Sequence, residues 1–237
     1  MSAQIDAQDV IAGGQGNDAL LVTDANASLT AAQLANVTGF ASLTLQAGGS
    51  AALTDALSDA ATFTANGTAA HADAFDGSAV TGYGIVFNGQ GGADTLIGGA
   101  GDDVFNIPDS QFAAIAGGAG LDRIVLTTPG QHFDLHANAA RITDIEVISL
   151  VRAGGATMTM TSADIAQVNA SGSSLYVVGG SDDEVRITDP GWSLISTTNA
   201  NTAVAPGANF IHYHHTSGVD LFLDDRFTFP VSWDVAV

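Results

Sequence analysis

The chain has 237 residues, 25 acidic and five basic, and its formal net charge of −20 makes nucleic acid a poor partner because both molecules are strongly negative. It contains no cysteine, which excludes disulfides and thiolate metal sites. No run of 18 apolar residues occurs, so no membrane span is expected.

The chain reads as a series of short strands separated by glycine turns. The first ten residues lack a basic segment followed by an apolar run, so no N-terminal secretory signal is predicted. Beyond them, glycine pairs alternate with short apolar runs, which is typical of an all-β chain. The clearest runs lie at residues 19–22, 42–45, 123–126 and 175–178.

Two short helices interrupt this pattern. Thr30 is followed three residues later by Gln33, which predicts a capping box and a short helix. Ser162, followed by Ala-Asp-Ile, is expected to cap another turn or two of helix.

The chain also shows an internal duplication. Residues 13–45 and 117–150 share an opening GGxGxD turn and a closing [VI]-T-x-[FI]-x-x-[LI]-x-L segment, offset by 104 to 105 residues. A duplicated module that stacks on itself is typical of a solenoid. The predicted organisation is a first module at 1–88, glycine-rich coils at 89–125, a second module at 126–190 and a C-terminal cap at 191–237.

One nonapeptide pattern carries chemistry. Residues 98–106 read GGAGDDVFN and match G-G-x-G-x-D-x-U-x in full, residues 89–97 depart from it only at Gln90, and residues 13–21 and 117–125 match. Glycine allows the positive φ angles that such turns need, and calcium takes six to eight carboxylate and carbonyl oxygens. The apolar U residues are expected to point inward: Leu20, Leu96, Phe105 and Ile124. The predicted calcium-binding residues are Gly13, Gly14, Gly16, Asp18, Asp76, Gly89, Gly92, Asp94, Gly98, Gly99, Gly101, Asp103, Gly117, Gly118, Gly120 and Asp122.

These repeats resemble the RTX (repeats-in-toxin) calcium-binding family, in particular its relatives among bacterial surface-layer proteins and large adhesins. The resemblance implies an all-β, right-handed parallel β-solenoid, or β-roll, with coils of about 18 residues and Ca²⁺ held between same-side turns. Asp103 and Asp122 are 19 apart and Asp76 and Asp94 are 18 apart, so each pair is expected to stack around an ion. Asp18 has no in-frame neighbour. The alternative is ordinary glycine turns with acidic residues for solubility.

The C-terminus carries a second resemblance. The final residues, VSWDVAV, resemble the uncleaved signal of type I secretion substrates, which implies export by the type I secretion machinery and an extracellular or cell-surface location. The alternative is a final β-strand with an edge aspartate.

Other chemical candidates are weaker. On a strand, His212 and His214 of the HYHH cluster face the same side and suit zinc or copper, but a surface hairpin strand is favoured because no further ligand is assignable for them or for His215. HExxH, GxSxG and a P-loop are absent, so no enzyme is predicted. Asp182-Asp183 and Asp224-Asp225 are interpreted as solvated turns, and residues 179–183 as a degenerate version of the glycine turn.

The sequence therefore predicts a secreted calcium-binding structural protein that assembles at or outside the bacterial cell surface, as a surface-layer, filament, biofilm-matrix or adhesin subunit. Its expected partners are further copies of itself and cell-surface glycans. The first alternative is a non-catalytic calcium-dependent folding and export module of a secreted hydrolase. The second is an enzyme with an unrecognised carboxylate site.

Overall fold

The computed structural model describes residues 5–151, 154–227 and, for the backbone, 232–233. The chain divides into two compact units, residues 1–120 and 121–237. Both are built mainly of parallel β-sheet with few helices, which confirms the all-β prediction. The predicted boundary at residue 89 lies inside the first unit. Apart from the backbone of Ser232 and Trp233, the proposed secretion signal at 231–237 lies outside the described residues.

The first unit contains twelve described strands, one α-helix and a 3₁₀ turn at Asp55–Leu57. These elements are β1 (Ile11–Ala12), β2 (Ala19–Val22), β3 (Ala27–Leu29), α1 (Ala31–Leu34), β4 (Val37–Thr38), β5 (Ser42–Leu45), β6 (Gly49–Ala52), β7 (Thr62–Asn66), β8 (Asp73–Asp76), β9 (Gly84–Asn88), β10 (Thr95–Ile97), β11 (Val104–Ile107) and β12 (Ala114–Ala116).

Successive strands of this unit alternate between two parallel sheets. One sheet has the order β2-β5-β7-β9-β11 and the other the order β3-β6-β8-β10-β12, while β1 pairs with β4. The register partners show how many residues separate one turn of the chain from the next. Val86 pairs with Val104, 18 residues later, whereas Gly49 pairs with Asp73, 24 residues later. The 18-residue coil of the sequence prediction is therefore one length among several.

The strands alternate inward and outward residues, and the inward ones stack in columns. In β9, Ile85 and Phe87 are fully buried. The ring of Phe87 stacks on Phe105, its register partner in β11, with centroids 4.9 Å apart. Leu96 and Phe105 of the repeats are buried as predicted, whereas Leu20 is only half-buried. Large apolar side chains in register thus hold consecutive coils together.

A ladder of polar side chains joins the same coils on the outward face. Asn66 donates to the hydroxyl of Thr44, Asn88 donates to Asn66 Oδ1, and Asn106 donates to Asn88 Oδ1, at 3.2, 2.8 and 2.8 Å. Each amide binds the equivalent residue one coil earlier, so the ladder depends on strand register.

The second unit contains eleven described strands, two α-helices, a 3₁₀ turn and longer connections. These elements are β13 (Arg123–Leu126), β14 (His132–Asp134), α2 (Leu135–Asn138), a 3₁₀ turn (Ala139–Arg141), β15 (Ile142–Thr143), β16 (Val147–Ser149), β17 (Thr157–Met160), α3 (Ser162–Val168), β18 (Ser174–Val178), β19 (Glu184–Ile187), β20 (Trp192–Ala200), β21 (Asn209–His215), β22 (Asp220–Asp224) and β23 (Ser232–Trp233).

Ten of its strands, all but β15, lie in the orders β13-β16-β18-β22-β21-β20 and β14-β17-β19-β23. All pairings are parallel except those of β20 with β21 and of β21 with β22, which add an antiparallel hairpin. Register partners lie 24 to 29 residues apart until the hairpin, where Ser174 pairs with Asp220, 46 residues later. The hairpin is thus an insertion between two parallel strands.

The predicted duplication is present in the order of elements. The series β2-β3-α1-β4-β5-β6 of the first unit corresponds to β13-β14-α2-β15-β16-β17 of the second. Both predicted helices form. Thr30 caps α1 in a capping box with Gln33, as expected. The cap of α3 is Thr161 rather than Ser162, because the Thr161 hydroxyl accepts the N–H of Asp164 while Asp164 accepts the N–H of Thr161.

None of the helices in the described ranges is long and apolar enough to span a membrane.

The asparagine ladder yields a first test. Replacing Asn88 by Ala removes the two ladder hydrogen bonds that Asn88 makes with Asn66 and Asn106, so we expect Asn88→Ala to lower the free energy of unfolding by about 2 kcal/mol. Ser42, an outward-facing residue of the same sheet without a ladder bond, is the control, and Ser42→Ala is expected to change it by less than about 0.5 kcal/mol. Urea unfolding checks both, and equal effects would contradict the ladder's role.

Candidate functional site

The candidate site consists of the glycine-rich turns that lead into β2, β10, β11 and β13. Each ends in an Asp-x-apolar step, in which the apolar residue begins the inward column of the strand. The polar chemistry of the first unit is therefore concentrated where its turns meet its strands.

Glycine is required at most positions of these turns because neighbouring turns pack directly against one another. Gly118 has φ 102°, and a Cβ there would lie 2.2 Å from the carbonyl oxygen of Gly99. Gly120 has φ 134°, and its Cβ would lie 2.5 Å from the oxygen of Gly101. A Cβ would also meet an atom within 3.0 Å at six further predicted glycines: Gly13, Gly89, Gly92, Gly98, Gly99 and Gly101.

Gly14 and Gly16 differ from these glycines. Each has a positive φ, of 93° and 129°, but a Cβ at Gly14 would meet nothing within 4 Å and one at Gly16 only Asp18 Oδ2, 3.8 Å away. Gln90, the one departure from the repeat at 89–97, has φ 64°, so the position adopts the left-handed conformation even without glycine.

Asp103 is the most completely enclosed of the turn aspartates in the first unit. Its side chain is fully buried, with Oδ1 accepting the N–H of Ile85 at 2.6 Å and Oδ2 accepting the N–H of Gly99 at 2.7 Å. One oxygen thus binds its own turn and the other binds the preceding coil, 18 residues earlier. The carboxylate ties the two coils together.

Asp94 is buried in the same way but has a different neighbour from the predicted one. Its Oδ1 accepts the N–H of Asp73 at 2.9 Å, and Asp73 is itself buried. The predicted pair of Asp76 with Asp94 is wrong: Asp76 is exposed and lies in register with Ile97. The reason is coil length, because β8 and β10 are offset by 21 residues rather than 18.

The two remaining predicted aspartates lie in separate units. Asp18 is half-buried, and its Oδ2 is enclosed without a hydrogen-bond partner in the part of the chain that the structure describes. Asp122 opens the second unit, where it is fully buried and its backbone N–H donates to Glu146 Oε2 at 2.8 Å.

Sequence reasoning missed two aspartates of the same kind, Asp73 and Asp183. Asp183 was expected in a solvated turn, but it is buried, with Oδ1 accepting the N–H of Ala156 and Oδ2 that of Gly180, at 2.9 and 2.8 Å. The signal that finds both is the Asp-x-apolar step, here Asp-Ala-Phe and Asp-Glu-Val. The solvated-turn interpretation is also wrong for Asp224, which is buried beside Arg226.

The first unit must hold its buried carboxylates without lysine or arginine partners. Residues 1–120 contain twelve aspartates and no lysine, arginine or glutamate. Burial raises the pKa of Asp103 to about 6, despite the two N–H groups that stabilise its charge. Burial also raises the pKa of Asp94 to about 6, and the charges of Asp73 and Asp109 add to this effect. The ionised form of each is therefore costly.

The donor set of these turns suits a hard divalent cation. Carboxylate and main-chain carbonyl oxygens are the ligands calcium prefers, and a bound cation would offset the cost of the buried charges. One enclosed carboxylate oxygen, Asp18 Oδ2, accepts no hydrogen bond from the described residues. Within the described ranges no three His, Asp or Glu side chains are already grouped to hold a metal ion, so main-chain oxygens would have to complete any calcium site in the turns.

The histidine cluster divides into two environments. His212 and His214 both contact Asp220 Oδ1, at 2.8 Å each. His215 is buried and faces the other side of β21, where its Nδ1 accepts the N–H of Ser217 and its Nε2 contacts the carbonyl oxygen of Pro190.

No family model matches the chain, and no curated protein or solved structure matches it significantly. Inferences about its function therefore depend on the geometry of the turns and on the residues in them.

The stacking of the turns can be tested at one glycine. We expect Gly118→Ala to lower the free energy of unfolding by more than about 3 kcal/mol, because it adds a backbone clash to the strain of a positive φ. Gly130 has φ 68° and open space around its Cβ position, so Gly130→Ala should cost only about 1 kcal/mol. Chemical denaturation measures both, and similar losses would show that φ alone matters.

The buried carboxylates predict an unusual pH dependence. A folded-state pKa near 6 for Asp94, above the ordinary 3.8, means that the folded protein binds more protons than the unfolded chain between about pH 4 and 6. Without divalent cations, stability should therefore fall as the pH rises through about 6 and be lower at pH 7.5 than at pH 5.

Asp94→Asn keeps the acceptor for the Asp73 N–H but removes the charge, so it should stabilise the cation-free protein at pH 7.5, on the order of 1 kcal/mol, and flatten the profile. Asp76→Asn is the control, since Asp76 is exposed. Thermal unfolding in EDTA across this pH range is the measurement, and a profile identical in wild type and Asp94→Asn would contradict the assignment.

Proposed function

We propose that the protein is a secreted calcium-binding structural protein, built as a right-handed parallel β-solenoid of the RTX type, that assembles at or outside the bacterial cell surface. The observation that carries this proposal is the set of buried aspartates at the ends of stacked glycine turns, in a unit without a lysine or arginine.

The solenoid proposal is supported by the path of the chain. Consecutive strands of the first unit alternate between two parallel sheets, and each strand pairs with one a single coil earlier. Apolar columns such as Phe87 on Phe105, and the ladder of Asn66, Asn88 and Asn106, are contacts between equivalent positions of successive coils. Such contacts arise when repeating units bury their faces on their neighbours.

Calcium binding is supported by electrostatics. Asp94 and Asp103 are buried acids whose pKa values rise to about 6, so at neutral pH each is held ionised at a cost. Calcium would remove that cost in the folded state only, and binding to the folded state alone stabilises it by mass action. In cytosol poor in calcium the acidic chain would be only marginally stable, and so easily unfolded for export by the type I machinery, whose substrates its C-terminus resembles.

Self-assembly is the function we favour for the folded form. Among the described residues β2 and β3 are edge strands of the two sheets, and edge strands offer backbone hydrogen bonds to a further strand. At a net charge of −20, copies of the chain repel one another unless cations neutralise them. Calcium would therefore control both folding and association, with cell-surface glycans as a further partner.

The test is a calcium titration of the purified chain, followed by circular dichroism and by size-exclusion chromatography with light scattering. We expect calcium to convert a marginally stable monomer into a more stable, β-rich oligomer or filament, and magnesium at the same concentration to fail because it accepts fewer ligands in a stricter geometry. Asp94→Asn, which keeps the acceptor for the Asp73 N–H, should weaken the calcium response, whereas Asp76→Asn should retain it.

Each other outcome has a distinct meaning. Calcium-dependent folding without association would support calcium binding and overturn self-assembly, favouring an adhesin or the export module of a secreted hydrolase. No calcium effect, in a protein that also contains no tightly bound calcium, would overturn the calcium proposal.

A further inference from the structure

The hairpin of the second unit brings together three metal-ligating side chains from two adjacent strands. His212 and His214 lie on one face of β21, and Asp220 is the first residue of β22. His212 Nε2 and His214 Nδ1 each lie 2.8 Å from Asp220 Oδ1. The sequence offers only the two histidines; antiparallel pairing supplies the third group, because His214 is in register with Asp220.

The three side chains differ in how firmly they are held. The ring of His212 stacks on Phe222 at 4.3 Å, and Phe222 stacks in turn on Tyr176 at 4.4 Å, so the position of His212 is fixed by packing. The side chain of His214 is 44% exposed and that of Asp220 is 35% exposed. The cluster is therefore anchored on one side and open to ions from solvent on the other.

We propose that His212, His214 and Asp220 bind Zn²⁺, with water completing the coordination. Two imidazoles and one carboxylate form a ligand set that suits zinc, while calcium prefers oxygen ligands throughout. This site is separate in chemistry from the glycine turns, and the proposal does not depend on calcium binding.

In this structure the three side chains contact one another by hydrogen bonds. Within the described residues they are not yet arranged around a position for a metal ion. Binding requires each imidazole to adopt the tautomer that places a lone pair on the nitrogen facing Asp220, with its proton moving to the other ring nitrogen. It also requires a rotation of the exposed His214 ring. The bound ion would then link β21 to β22 and hold the inserted hairpin on its sheet.

The test is isothermal titration of Zn²⁺ into the full chain, with calcium present throughout, together with the thermal unfolding temperature with and without Zn²⁺. We expect one Zn²⁺ per chain and a higher unfolding temperature. His214→Ala should weaken binding by at least about tenfold, since even outer-shell changes at metal sites cost that much. His132→Ala, which removes an exposed histidine elsewhere in the second unit, should leave binding unchanged.

Asp220→Asn is a second variant, nearly identical in shape, and should also lose the zinc-dependent rise in unfolding temperature. Circular dichroism verifies that each variant is folded. Zinc binding of equal strength in wild type and His214→Ala would overturn the proposal. The absence of any zinc effect on the wild-type protein would also overturn it. If His214→Ala then proves less stable than the wild type without metal, the cluster is only a hydrogen-bonded link between the strands.

Discussion

The turns of the first unit stack at the spacing of the strands that they connect, and most of its chemistry follows from that constraint. Neighbouring strands lie about 4.8 Å apart, so two turns joining successive pairs of strands must approach equally closely. A Cβ at Gly118 or Gly120 would then overlap the carbonyl oxygen of the turn before it. Glycine is the residue that permits this approach, and its abundance here reflects packing as much as conformational freedom.

The same spacing explains why an aspartate ends these turns. Both oxygens of Asp103 accept backbone N–H groups, one from its own turn and one from the preceding coil, and Asp183 repeats the arrangement in the second unit. Asparagine would present an amide NH₂ to one of these donors, so a carboxylate is needed. Backbone hydrogen bonding thus accounts for part of the acidic repeat, and a cation would compensate the charge that remains.

The two units stabilise their buried carboxylates in different ways. All five arginines lie in the second unit, where Asp224 is buried against Arg226. The first unit has twelve aspartates and no arginine or lysine, so its carboxylates depend on N–H and hydroxyl donors, protons or added cations. The second unit also has longer coils and an inserted hairpin, and the hairpin brings His212 and His214 to Asp220.

The local pattern of the sequence was enough to predict the all-β class, the glycine turns, the inward positions of Leu96 and Phe105 and the helix capped by Thr30, because each depends on neighbouring residues. The length of each connection decided which side chains meet. A 21-residue coil places Asp73 rather than Asp76 beside Asp94, and the short turn between β21 and β22 sets the antiparallel register that brings Asp220 to His214. Register between distant strands is set by the packing of inward columns and by the residues in each connection, and a repeat motif read along the chain does not contain that information.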